Sequence, residues 1–141
     1  MARRFEVEPR VAMLSFSNFG SSRHALADKM RRATEMVREL APTLIVDGEM
    51  QADTAVSPEI LAETYAFSRL KGGANVLIFP NLESGNIAYK LLMRIGGCEA
   101  IGPILMGFSK PVHVLQRGCE VNDIVHMAAL AVVEAQARNR T

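Results

Sequence analysis

Short apolar runs alternate along this chain with longer stretches in which apolar residues recur every three or four positions. The runs read as strands and the periodic stretches as amphipathic helices. The clearest unit is Lys71 to Arg94, KGGANVLIFPNLESGNIAYKLLMR. After a Gly-Gly turn, Asn75 to Phe79 predict a buried strand. Pro80 ends it, because proline has no N–H to give to a ladder. A polar loop, Asn81 to Asn86, falls at the strand's carboxyl end. A helix starts near Ser84 to Gly85, carries Ile87, Leu91 and Ile95 on one face, and stops at Gly96-Gly97.

The same layout occurs earlier. Arg10 to Phe16 predict a strand, SNFGSS a loop, and Ser22 to Leu40 a helix capped by Ser21 or Ser22 and ended by Pro42. Leu44 to Val46 form a short strand ending at Asp47-Gly48. Ser57-Pro58-Glu59 open a helix that runs to about Ser68, with serine as cap and proline at the first helical position. Beyond the central unit, Ala100 to Met106 and Val112 to Leu115 read as further strands, the first interrupted by Gly102-Pro103. Asn122 to Arg138 read as a last helix, with Asn122 or Asp123 at its start and Ile124, Met127, Ala128, Ala131 and Val132 on its apolar face. The tail beyond it is expected to fray. Strands and helices in alternation predict an α/β fold, a mostly parallel sheet covered by helices.

The 141 residues suit one domain, and 49% hydrophobic with 22% charged is an ordinary globular composition. A net charge of +1 gives no basic field for nucleic acid, and the absence of Trp argues against base-stacking platforms. No apolar run approaches the ~20 residues that span a bilayer. MARRFEVEPR lacks the apolar core of a signal peptide, so a cytoplasmic location is expected. Cys98 and Cys119 form no CxxC pair and read as free, buried or half-buried thiols.

Candidate chemistry is concentrated in the loops. SNFGSS could hold an anion through N–H groups and hydroxyls, or simply make a turn and a cap. It is not a GxxxxGK[ST] loop. DGEMQAD brings Asp47, Glu49 and Asp53 close in sequence; a divalent cation or a solvated loop would each use such a set, and without a histidine partner the solvated loop is expected. His24, His113 and His126 are scattered, with His24 and His126 inside helical patterns. Arg117, six residues before Asp123, is a better receptor, since a guanidinium beside a helix N-terminus suits phosphate or carboxylate; a surface arginine paired with Asp123 is the other reading.

FPNLESGNIAYKLL, GPILMGFSKPVHVLQRG, the NDIV that opens the last helix, the VAMLSFS strand with its GSS loop, and DGEMQAD together resemble the phosphate acetyl/butyryl transferase family. The resemblance implies a three-layer α/β/α fold like that of isocitrate and isopropylmalate dehydrogenases, with a coenzyme A and acyl phosphate cleft, a dimer, and a chain amounting to the C-terminal half of the family's domain. It points to Ser15, Ser17, Gly20, Ser21, Gly85, Asn86, Lys90 and Arg117 as ligand-binding positions. In active members KPV leads into Asp-Leu-Ser-Arg-Gly, where the serine contacts the thiol and the arginine the acyl phosphate, and an aspartate six residues on acts as base. Here Arg117 and Asp123 match, but Gln116 stands for the serine and Val114 for the first aspartate.

That departure, with the SFSNFGS wording, resembles the phosphotransacetylase-like C-terminal domains of NADP-dependent malic enzymes. The implied role is a non-catalytic acetyl-CoA sensor that helps a parent malic enzyme to oligomerise, its partners being acetyl-CoA or an acyl phosphate-like anion and the parent's N-terminal domains. NADP and a divalent metal would belong to those domains and not to this chain. The alternative is half of an active phosphate acetyltransferase. An uncovered apolar face predicts a homo-oligomer, with the helices from Ser22 and Ser57 as the expected contact surface.

Overall fold

The computed structural model describes residues 2–138. Three strands, β1 (Arg10–Leu14), β2 (Ile45–Met50) and β3 (Val76–Ile78), form a parallel sheet in the order β2-β1-β3. A 3-10 turn, Ala2–Phe5, precedes them. The helices are α1 (Ala25–Leu40), α2 (Ala52–Val56), α3 (Pro58–Glu63), α4 (Leu82–Arg94) and α5 (Val121–Arg138). The chain divides into two compact units, Glu8–Lys90 and the described residues of 1–7 and 91–141.

In the first unit the alternation of β1 sets the layers. Val11 and Met13 join Val46 and Met30 of α1 in one buried cluster. Ala12 and Leu14 join Met50, Ala55 of α2, Leu61 of α3 and Leu70 in another. Helices therefore cover both faces of the sheet, as parallel strands require, and the α/β class expected from the alternation is the one observed. Each fully buried Met or Leu contributes about 1.5–3 kcal/mol of transfer free energy, so these two clusters supply the main cohesion of the unit.

Several boundaries differ from the sequence reading. β1 stops at Leu14, two residues short of Phe16. Helix α1 begins at Ala25, and its cap is neither Ser21 nor Ser22. His24 fills that position, its Nδ1 accepting from Leu26 N–H at 3.2 Å. β2 does not end at Val46; it continues through Asp47, Gly48 and Glu49 to Met50. A separate short helix, α2, precedes α3, which ends at Glu63 and not near Ser68. Helix α4 starts at Leu82, because Asn81 accepts from Ser84 N–H at 2.8 Å through its side chain.

The Ser57 cap is where the sequence put it: Oγ accepts from Ile60 N–H at 3.2 Å. Glu59 in the first turn has its carboxyl held below the usual 4.5, first by its own backbone N–H and then by the Ser57 hydroxyl. Ser57→Ala is expected to cost about 1 kcal/mol in urea denaturation. In a carbon-13 titration the same variant should bring Glu59 back toward the ordinary carboxylate range.

In the second unit the two expected strands are absent. Ala100 to Met106 and Val112 to Leu115 run without ladder pairing. Pro103 and Pro111 each remove a donor, and Ile101, Met106, Val112, Val114 and Leu115 remain exposed. α5 begins one residue before Asn122. Of the face expected, Met127 is buried and Ala131 half-buried, whereas Ile124, Ala128 and Val132 are exposed; Leu130 and Glu134 complete the buried line. Cys98 is exposed and Cys119 half-buried, both free. The tail expected to fray lies outside the described residues. No helix among the described residues is long and apolar enough to cross a membrane. Exposed apolar side chains lie on α1, at Leu26, Met36 and Leu40, and also on and just beyond α4, at Leu82, Ile87, Leu91, Leu92 and Ile95.

Candidate functional site

The strand order places a reversal beside β1. From β1 the chain crosses by α1 to β2 on one side, then returns by α2 and α3 to β3 on the other. α1 packs on one face of the sheet and α2 and α3 on the opposite face. In open parallel sheets, ligands settle outside the carboxyl ends of strands that flank such a reversal. Here those ends carry the loop after β1 and the loop after β3.

The loop after β1 contains Ser15, Ser17, Gly20 and Ser21. It encloses the chain's own Glu49 side chain. Glu49 Oε1 accepts from the Ser17 hydroxyl at 2.9 Å and from Gly20 N–H at 2.8 Å. Phe19 N–H donates to the Glu49 carbonyl at 2.8 Å. Ser17 Oγ also accepts from Ser22 N–H at 3.0 Å and lies 3.2 Å from Ser21 Oγ. Ser15 Oγ accepts from Ser17 N–H at 3.3 Å. Glu49 reaches this loop because it sits in a bulge: Met13 pairs with Gly48 and Leu14 with Met50, leaving Glu49 between them unpaired. A bulge re-aims a side chain in this way. Glu49 is completely buried, and its Oε2 has no hydrogen-bond partner among the described residues.

Asp47, two residues earlier, is the second buried carboxylate. The solvated-loop reading of DGEMQAD therefore holds for Asp53, which is exposed, and fails for Asp47 and Glu49. Asp47 Oδ1 accepts from Gly48 N–H at 2.9 Å and from Arg38 Nη2; Oδ2 accepts from the Ser68 hydroxyl at 2.8 Å and from Arg69 N–H at 2.7 Å. With these donors in place the carboxylate has no capacity left for a cation. Among the described residues no three His, Cys, Asp or Glu converge on a metal position.

The loop after β3 is tied to α1 by Lys29, whose Nζ donates to the Pro80 carbonyl. Gly85 lies in the first turn of α4, where a Cβ would stand 3.5 Å from the Phe79 side chain. Asn86 and Lys90 are exposed further along the helix, and the Lys90 ammonium lies 5.2 Å from the Tyr89 ring centroid.

Gln116, Arg117 and Asp123 belong to the second unit. Cys119 N–H donates to the Gln116 carbonyl at 3.2 Å, closing a four-residue turn with Gly118 third at φ +79°. Glycine suits that position, since a type II turn needs positive φ there. Gln116 and the Arg117 guanidinium are exposed at this turn. α5 follows, with Glu120 as its N-cap. The capping side chain is Asp123, reaching back to accept from Glu120 N–H at 2.8 Å; Asn122 does not perform that role. This is one half of a capping box.

A family model described as phosphate acetyl/butaryl transferase matches residues 1–132. The chain belongs to that family. Within it, the phosphate acetyltransferase of Clostridium acetobutylicum is 48% identical over 130 residues, which are 92% of this chain and 39% of that protein. The NADP-dependent malic enzyme of Escherichia coli strain K12 is 53% identical over 138 residues, 96% of this chain and 18% of that protein. Among solved structures, the EutD phosphotransacetylase from Staphylococcus aureus superposes with a TM-score of 0.86 at 40% identity, covering 96% of this chain and 42% of that one. The chain thus spans well under half the length of these relatives, a partial counterpart of the phosphotransacetylase fold.

The sequence reading missed the internal roles of Asp47, Glu49 and His24 in this member of the family. One signal was present: two acidic residues flanking a glycine at the end of an apolar run, opposite a loop rich in serine hydroxyls and backbone N–H groups.

Proposed function

We propose that this chain is a phosphotransacetylase-type ligand-binding module that regulates an NADP-dependent malic enzyme, senses acetyl-CoA, contributes to its oligomerisation, and does not transfer acyl groups. The observation that carries this reading is the engagement of Asp123. At the family's base position, its carboxylate is occupied by the N-terminus of α5. Gln116 replaces the serine that the resemblance assigns to the thiol. Arg117 is exposed, its guanidinium open to an anionic group of a ligand. The 53% identity to a malic enzyme supports the same branch. NADP and a divalent metal would be held by the parent's N-terminal domains. A ligand that prefers one state of an assembly shifts its population, which is all that regulation requires here.

The test is malate-dependent NADP reduction by the polypeptide that carries this chain, measured across acetyl-CoA concentrations. The rate is expected to respond, and Arg117→Ala to raise the half-maximal effector concentration about tenfold or more, the loss of one charge-assisted hydrogen bond. A rate indifferent to acetyl-CoA would reject the reading.

A second reading is favoured by the retention of both Arg117 and Asp123, and by the 48% identity to a phosphate acetyltransferase. In it the chain is the C-terminal half of an active acetyltransferase, moving acetyl between coenzyme A and phosphate. Asp123 would leave its capping position to take the thiol proton. Acetyl phosphate formation that disappears in Asp123→Ala would establish this reading over the first.

A further inference from the structure

Glu134 is a buried acidic residue of the second unit, at 2% exposure. Arg4 Nη1 donates to its Oε1 at 2.9 Å. His113 Nε2 lies 3.1 Å from its Oε2, at ion-pair distance but off the hydrogen-bonding direction, and the His113 side chain is itself only 4% exposed. A buried carboxylate needs such neighbours, since an uncompensated one is strongly destabilising. Neither the capping of α5 nor the receptor turn at Gln116–Cys119 uses this cluster.

What the cluster does follows from where its members sit. His113 stands four residues before Arg117, in a segment without ladder pairing. Glu134 stands well along α5, whose first turn is joined to Glu120 by Asp123. The segment from His113 to Glu120 is therefore attached to one helix at two places. From Val121 to Glu134 the helix rises about 20 Å. Between its two attachments the segment can extend about 21 Å at most, once the turn at Gln116–Cys119 is allowed for. Helical side chains lean toward the N-terminus, and the His113 and Glu134 side chains bridge the remaining distance. The segment is a strap fixed to α5 at both ends, with Arg117 in the turn between them.

We propose that Glu134 is a positioning residue for Arg117: acting through His113, with Arg4 completing the charge balance, it holds the strap against α5 and so fixes the guanidinium that receives the anion. The proposal rests on the ligand-binding reading of Arg117, and its test separates the two. In the full chain, Glu134→Gln keeps size and an acceptor for Arg4 but removes the charge facing His113. Backbone nitrogen-15 heteronuclear NOEs at Arg117, Gly118 and Cys119 are expected to fall by a third or more, with those of Met127 and Leu130 unchanged. Affinity for acetyl-CoA by calorimetry is expected to fall about tenfold. His113→Ala should reproduce both effects, and His113→Gln, whose amide N–H is polar and long enough to face the carboxyl group, should restore most of the rigidity.

If Glu134→Gln fails to fold, the two His113 variants carry the test, because their change lies on the strap and not on the helix. Loop NOEs that stay at wild-type values in folded variants would overturn the proposal. A loop that loosens in a chain that never binds acetyl-CoA would uphold the positioning role and reject the ligand assignment.

Discussion

Asp47→Ala is expected to lower the unfolding free energy by about 3–5 kcal/mol, the scale for removing one partner of a buried charge network. The alanine leaves behind the Ser68 hydroxyl and the Arg69 N–H, which both donate to Oδ2, and the Gly48 N–H, which donates to Oδ1. Ser68 is buried, so its hydroxyl gains no water in exchange. Arg38 is partly exposed and can be rehydrated, so it accounts for the smaller share of the loss. Asp47→Asn should recover part of the loss at Oδ1 and little at Oδ2, where an amide would set its own N–H groups against those of Ser68 and Arg69. Urea denaturation with an unchanged m-value is the measurement. An Asp47→Ala chain within 1 kcal/mol of the parent would show that the network follows the fold and does not stabilise it.

Gly48→Ala is expected to be of similar size for a different reason. Gly48 has φ +138°, a conformation that side chains rarely adopt, and an added Cβ would stand 2.6 Å from the Met13 carbonyl oxygen and 2.9 Å from Met13 Cβ. The obstacle is backbone of the neighbouring central strand, which cannot move aside as a flexible side-chain end would. Backbone strain and overpacking together are expected to cost about 3 kcal/mol or more, a fall in Tm on the order of 10 °C. Gly72→Ala is the control for backbone conformation alone: φ is +81° and the added Cβ meets nothing within 4 Å, so its loss should be clearly smaller.

The parts of the fold that the sequence disclosed are those governed by local chemistry. Asn75 to Phe79 form an apolar run bounded by Gly-Gly and proline, and β3 lies within it. Ser57 followed by Pro58 opens a helix on short-range grounds, and α3 starts there. Reading failed where a distant partner decides. Asp47-Gly48 has the composition of a turn, yet the strand continues because donors from Arg38, Ser68 and the β1 loop meet the carboxylates of Asp47 and Glu49. His24 is an uncommon cap: of the two serines expected, Ser21 has its hydroxyl engaged with Ser17 Oγ and Asn18 N–H, and Ser22 is drawn back into the loop by its own N–H, which donates to Ser17 Oγ. Ala100 to Met106 is apolar enough for a strand, but a strand also requires a neighbour to pair with, and hydropathy carries no information about neighbours.

The candidate site was legible in the same uneven way. The loops at the strands' carboxyl ends follow from the alternation of elements, and the Arg117 turn follows from its glycine. The sequence offered Asn122 or Asp123 at the start of the last helix; that Asp123 is the one that caps it, and that the serine loop already encloses a carboxyl group, depend on distances that a sequence does not contain.

The enclosure of Glu49 has an evolutionary corollary. A loop whose contours are moulded by an internal guest acquires them during folding, before any metabolite arrives. Substitutions elsewhere can then accumulate without the loop collapsing, because Ser17 and Gly20 answer to a strand residue of the chain itself.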